Sequence, residues 1–302
     1  MIQQIHRSSE AYPQRLARLG NSPDVLHVSG TIPSGDAVAI VGTRHPDPRM
    51  VRFARELAGD LCVRSVAVIS GGALGIDTAA HRGALDAGGC TVAVLGSGFQ
   101  HPYPEENRDL FEEIALRGAV ISEFPPQTPP ARWTFPRRNR IVVALARAVV
   151  VVQASVRSGA MITAEIAREM GVPLGVVPGM AGDASSAGSN RLLRNGAIMV
   201  ESAKDVVDLM GKDGFRSQLS LSVLRSPVDV PHRPVPVLVP ADMSPNEEIV
   251  WQHLCLDPVH IDDIANRTGL PPQVVSGVLL KLELSGMIED SGGRRFVRAT
   301  GI

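Results

Sequence analysis

The sequence predicts an α/β fold: a parallel sheet with helices on both faces, then a proline-rich linker and a small helical unit. Three observations carry this. Short apolar runs alternate with amphipathic stretches between residues 37 and 210. The runs are apolar almost throughout instead of at every second position, the pattern of strands covered on both faces. From 211 to 243 helical periodicity is lost and five prolines gather from Pro227 onward, before a new helical pattern starts at 244.

Residues 1–36 read as a lead-in segment. The strand candidates follow in order: AVAIVG (37–42), VAVIS (66–70), TVAVLG (91–96), AVISEF (119–124), AVVVVQA (148–154), PLGVVPG (173–179) and AIMV (197–200). Between them, 48–61, 76–87, 105–117, 160–170 and 202–210 carry one apolar and one polar face, as surface helices do. Strand and helix in regular alternation define a Rossmann-like domain over 37–210. From 244 to 302, SPNEEIVWQHL opens with a helix-start signal. HIDDIANRTG and PPQVVSGVLLKLELSGMI follow, joined by a tight Gly turn, and IEDSGGRRFVRA closes as a hairpin. That order spells a winged helix-turn-helix.

Composition narrows the function. The chain has 302 residues and a formal net charge of −1, so no bulk charge draws it to a polyanion. Its bases are 27 Arg and three Lys, and Arg forks onto phosphate and stacks on flat rings. Three scattered cysteines without a CxxC argue against a zinc site or a disulfide framework and fit a reducing cytoplasm. No apolar run reaches the ~18 residues of a membrane helix, so no membrane insertion is expected.

In a wound parallel sheet, ligands bind beyond the carboxyl ends of the strands. The segments there are GTRHPDP, GGALGID, GSGFQHPYP, PPQTPPARWTFPRRNR, SVRSGAMIT and GMAGDASSAGSNRLLR. Gly42 and Arg44 follow the first strand. Ser70 and Gly71 open a Gly-rich turn suited to an anion, although its spacing is not GxGxxG. Phe135, Arg137, Arg138, Asn139 and Arg140 form the sharpest feature, an arginine loop with a ring to stack on a base. No Asp or Glu occurs from 124 to 164, leaving Arg132, Arg137, Arg138, Arg140, Arg147 and Arg157 without a carboxylate in that stretch. At least one of the three loop arginines should turn inward and pin the loop to carbonyls. Arg157, Ser158 and Gly159 stand at a helix start. Asp77 and His81, four apart, suit acid–base chemistry less well than a helix first turn. In the winged unit the second helix offers only Lys281, offset by Glu283, and the cations sit in the wing at Arg294, Arg295 and Arg298. That disfavours base reading in a major groove.

Together AIVGTR, VISGGALGIDTAAHRGALDAGG, TVAVLGSGFQHPYPEENRDL, ISEFPPQTPP, FPRRNRI, RSGAMITAEIAREMG and GSNRLLRNGA resemble the DNA-processing protein A (DprA, or Smf) family over about residues 11–210. LLKLELSGMI is similar to the winged-helix domain many members carry. The resemblance implies an extended Rossmann fold that binds single-stranded DNA, protects incoming strands in natural transformation and helps load the RecA recombinase. It implies a cytoplasmic homodimer without catalysis or cofactor. Strand binding would fall to Arg44, the Ser70–Gly71 turn, FPRRNR and Arg157–Ser158–Gly159. The sequence departs from the family in three ways. The helical N-terminal domain of many members is expected to be missing. VVALARA stands where small residues are common, and Gln153 stands where an acid is common. Two other readings compete. A LOG-type phosphoribohydrolase would want a PGGxGTxxE loop, against SGAMITAE here, and a winged-helix transcription regulator would want a more basic recognition helix.

Overall fold

The computed structural model describes residues 2–211, 243–254, 259–285, 287–290 and 294–298. The chain divides into two compact units, Met1–Ser222 and Val223–Ile302. The linker expected over 211–243 lies, apart from its two ends, outside the described residues.

All seven apolar runs are strands, with ends trimmed by up to three residues. In chain order the first unit holds β1 (Ile2–His6), α1 (Gln14–Ala17), β2 (Val25–Gly30), β3 (Ala37–Val41), α2 (Pro48–Val63) and β4 (Ala67–Ser70). Then come α3 (Ile76–Asp86), β5 (Thr91–Val94), a 3-10 turn Glu105–Asn107, α4 (Arg108–Arg117), β6 (Ala119–Ser122) and α5 (Thr134–Leu145). It ends with β7 (Ala148–Val151), α6 (Gly159–Glu169), β8 (Leu174–Val176), α7 (Ala187–Arg194), β9 (Ile198–Met199) and α8 (Ala203–Met210). The sheet order is β1-β2-β6-β5-β4-β3-β7-β8-β9. From β6 to β9 every pairing is parallel. The order reverses at β3, whose neighbours are β4 and β7, and that reversal opens the crevice where such sheets bind ligands.

Three segments depart from the expectation, one of them α7, which forms where only a rim segment is expected. The lead-in segment supplies β1 and β2, which extend the sheet antiparallel, with Val28 opposite Ile121 and Ile5 opposite Leu26. Four of the five β1 side chains are exposed, so this edge strand lacks the apolar run by which buried strands are recognised. The arginine loop is likewise no loop: FPRRNR forms the first turns of α5. Pro136 sits in the first turn, where its missing N–H leaves no helical bond unmade.

The core lies on both faces of the sheet. α2, α3 and α8 bury Leu57, Leu61, Ile76 and Leu209 against Val38, Ile40, Val68 and Val150, and α4 packs Leu110, Phe111 and Ile114 on Ala93 and Val120. α5 and α6 cover the other face with Ile141, Val143, Ala160 and Ala164. Pro48 at the start of α2 and Asp47, whose side chain accepts from the Arg49 N–H at 2.8 Å, fix where that helix leaves the rim.

The second unit packs α9 (Pro245–Gln252), α10 (Ile261–Thr268) and α11 (Pro272–Leu284) around Trp251, Ile264, Leu279 and Leu282. Its antiparallel sheet has the order β10 (Val259–His260), β12 (Arg295–Arg298), β11 (Ile288–Asp290). This is the expected winged-helix arrangement. Lys281 of α11 pairs with Glu247 of α9 at 2.6 Å. Arg298 of the wing turns back onto Trp251, with its guanidinium carbon 4.6 Å from the ring centroid and Nη2 donating to the Trp251 carbonyl. Among the described residues no helix is long and apolar enough to cross a membrane.

Candidate nucleic-acid interface

Glycines shape the rim. A Cβ on Gly42 would stand 2.5 Å from Ile76, and one on Gly75 (φ +82°) 2.4 Å from the Thr43 carbonyl oxygen. Without those atoms the segment after β3 lies against the start of α3, and Arg44 projects over the cleft. Ser70 is fully buried and donates to the Ile40 carbonyl at 2.6 Å, so it ties β4 to β3 instead of facing the rim.

α5 sorts the arginines. Arg138 is only 5% exposed. Its Nη1 donates to the carbonyls of Gly71 and Val94, and its Nε donates to Asn139 Oδ1 at 3.1 Å. Gly71 must lack a side chain here, since a Cβ would lie 2.7–2.9 Å from the guanidinium. Burial moves Arg138 down to about 10, which still leaves it charged at neutral pH. Arg140 also turns inward, donating to the Asn21 carbonyl at 2.7 Å and to Glu123 Oε2 at 2.6 Å. Arg137 Nε reaches the same Glu123 oxygen at 3.1 Å. The acid-free run is therefore offset only in part, by Glu123 just outside its edge, which takes both Arg137 and Arg140, and Arg147 pairs with Asp36 at 2.9 Å. The expected inward arginine is found twice, at Arg138 and Arg140.

Phe135 is the centre of a cleft lined by Arg44, Gly71, Ala73, Leu74, Tyr103, Pro104, Phe135 and Arg138. The Arg44 guanidinium carbon lies 5.6 Å from the Phe135 centroid, inside the cation–π range. The Tyr103 ring lies 5.5 Å away, tilted by 56°. Gly96 lets the ring in, since a Cβ there would meet it at 2.6 Å. Among the described residues, no carboxylate lines the cleft. Tyr103 is 43% exposed, and the sequence reading, which puts GSGFQHPYP on the rim, does not single it out. Its one signal in the sequence is an aromatic within a rim segment.

The other candidates lie outside the cleft. Asn139 is half-buried and accepts from Arg138 Nε, and Gly42 lies against Ile76. Arg157 and Gly159 are exposed beside Ser158, which starts α6 without a side-chain cap bond. Asp77 and His81 are buried under the rim, where burial raises the Asp77 carboxyl while the charge of Arg138 draws it back. Thr91 Oγ1 donates to the Val68 carbonyl, so His81 Nδ1 donates to Thr91, at 2.7 Å. Burial, aided by the charge of Arg138, pushes His81 down to about 3 and keeps it neutral. Gln153 is buried too. It accepts from the Asp47 N–H at 2.9 Å and donates to Ser185 at 2.7 Å, fastening the segments after β3, β7 and β8.

The family model "DNA recombination-mediator protein A" matches residues 3–211, and "DprA winged helix domain" matches 234–294. A Mycobacterium tuberculosis protein named for DNA processing is 42% identical over 285 residues, covering 93% of this chain and 70% of its own. DNA processing protein DprA of Bacillus subtilis is 37% identical over 210 residues, 68% of this chain and 71% of its own. Among solved structures, DNA processing protein A of Streptococcus pneumoniae superposes with a TM-score of 0.65 at 34% identity, over 68% of this chain and 74% of that one. The Helicobacter pylori protein, solved for its single-stranded DNA binding mode, gives 0.61 at 30% identity, over 70% and 97%. With its motifs, sheet and winged unit all matched, the chain belongs to the DprA/Smf family of DNA recombination mediators.

Proposed function

We propose that the chain binds single-stranded DNA along the carboxyl-end rim and, as a homodimer, protects the strand and helps deliver it to a RecA-type recombinase. The observation that carries the reading is the Arg44–Phe135–Tyr103 cleft, a cation and two rings with no carboxylate among its lining residues. An aromatic face accepts any base, and exposed arginines accept phosphates, so the expected recognition is strong in salt dependence and weak in sequence. Arg44 and Phe135 act by contact. Arg138, Asn139, Gly71, Ser70 and Gly42 position them. Arg157, Ser158 and Gly159 extend the path past β7, and Arg140 holds the start of α5 to Glu123 and Asn21. The winged unit has its α11 cation paired and Arg298 of the wing turned inward, which favours a protein contact or a phosphate contact over base reading.

The test is fluorescence anisotropy with labelled poly-dT and a matched duplex across a salt series. About three phosphate contacts, from Arg44, Arg157 and Arg137, predict a slope of log K against log salt near −2 for the single strand. Equal binding to both forms, or none, refutes the proposal. Release of free base from a nucleoside monophosphate would revive the phosphoribohydrolase reading. Stimulated strand exchange by RecA on coated strands tests the mediator step, and sedimentation tests the homodimer.

A further inference from the structure

We propose a second base-stacking position on the same rim, built by Trp133 and Arg137; it rests on the single-strand reading above. Trp133 precedes α5 as its cap residue, and Arg137 stands four positions on, so the two share one helix face. Phe135, two positions from Trp133, lies roughly 200° around the helix. The first turn of α5 thus presents a ring on each side, one in the cleft and one beyond it.

The local geometry distinguishes a platform from core filling. The Arg137 guanidinium carbon lies 5.8 Å from the Phe124 centroid and 6.0 Å from the Trp133 centroid. Phe124 meets Trp133 edge-on, at 5.8 Å and 81°. Phe124 is buried and acts as the support, whereas Trp133 is partly exposed and the Arg137 side chain is 54% exposed. Arg137 is held from behind, with Nε on Glu123, a carboxylate only 2% exposed that also takes Arg140. Its terminal nitrogens make no hydrogen bond among the described residues. Two arginines on one carboxylate leave the cluster with a net positive charge. A flat indole under an anchored guanidinium with open donors suits a nucleobase and its adjoining phosphate.

The placement also suits a continuous strand. Trp133 belongs to the segment after β6, the Phe135 cleft spans the segments after β5, β4 and β3, and Arg157 follows β7. At about 4.8 Å between neighbouring strands, the four steps from β6 to β7 cover ~19 Å. Trp133 then takes a base at one end of the path, Phe135 one in the middle, and Arg157 a phosphate at the other end.

Trp133 and Trp251 are the chain's two tryptophans, and Trp251 lies buried in the other unit. In a Trp251→Phe chain the indole emission therefore reports Trp133 alone. Titration with a dT 20-mer should quench it in step with the anisotropy of the labelled strand. Trp133→Ala should weaken binding about 5- to 150-fold, the range of one base–aromatic stack, with Trp133→Phe restoring most of it. Normal binding without quenching, and a Trp133→Ala chain within twofold of the parent, would overturn the second position and leave the function standing. No binding of the parent chain at low salt would instead overturn the function itself. If Trp133→Ala does not fold, quenching of the Trp251→Phe chain by the strand still decides. Quenching by a protein partner but not by the strand would assign the platform to that partner and overturn the proposal.

Discussion

Arg44 and Arg138 line the same cleft, yet replacing each with Ala should damage different properties. Arg138 serves two buried carbonyls, of Gly71 and Val94, and its charge offsets the buried Asp77. Removing it strands both acceptors and leaves the carboxyl without its cation. Losing one member of a buried charged arrangement costs about 3–5 kcal/mol. For a domain of this size 1 kcal/mol is worth about 2–4 °C, so Arg138→Ala should lower the first unit's Tm by roughly 6–20 °C. Arg44 is exposed and touches Phe135 through its guanidinium, so Arg44→Ala should change stability by no more than about 0.5 kcal/mol. Its loss should fall on affinity instead, at about 1–3 kcal/mol, with the salt slope shallower by about 0.7. Calorimetric melting and strand anisotropy on both variants decide. An Arg138→Ala chain that melts with the parent but no longer binds would make Arg138 a contact residue. An Arg44→Ala chain that binds like the parent would refute the cleft as the site.

Acid should weaken the first unit through His81. Its folded value of about 3 lies below the ~6.5 of an unfolded histidine, so its stability is whole above pH 6.5 and lost as pH falls, by about 2 kcal/mol at pH 5. Urea titrations at pH 7.5 and 5 should show this loss shrinking in His81→Gln, and an equal loss in both chains would contradict it. Burial pushes the Cys62 thiol up to about 11, whereas Cys90 is exposed, so iodoacetamide at pH 8 should label Cys90 well before Cys62 in a peptide mass map. Gly96→Val should displace the Phe135 ring and reduce strand affinity with little change in the salt slope; an altered slope would point to lost phosphate contacts instead.

Strands buried on two faces were legible because burial dictates composition: AVVVV admits few other structures. The same reasoning fails at the edge of the sheet. β1 exposes most of its side chains, and β2 mixes His27 and Ser29 into its run, so neither shows the pattern of the central strands. α7 was missed for a related reason. It starts in AGSN, and Gly188 is required because a Cβ would lie 2.5 Å from the Ser155 carbonyl oxygen, a tertiary demand that sets propensity aside. The rim itself followed from topology alone, since strand order decides which segments meet.

The arginine stretch shows where a count of charges stops being informative. FPRRNR reads as three equivalent cations only while its conformation is unknown. Once α5 is a helix, each residue advances 100°, and adjacent arginines must face different surroundings. Arg138 enters the core beside Gly71, Arg140 faces Glu123 and Asn21, and Arg137 remains at the surface over Trp133 and Phe124. Each direction then selects its own partner: carbonyls, a carboxylate, or rings and solvent. The positive field of the rim arises instead from Arg44, on another segment, and from Arg137 and Arg157 at its two ends. A strand on this rim meets cations spaced along a path rather than packed into one loop. Binding should therefore fall stepwise as the strand is shortened below the ~19 Å between the β6 and β7 segments, a span of only a few nucleotides of single strand. A series of oligo-dT lengths measures this directly. Full affinity for a dinucleotide would place all recognition in the Phe135 cleft and remove the need for the path.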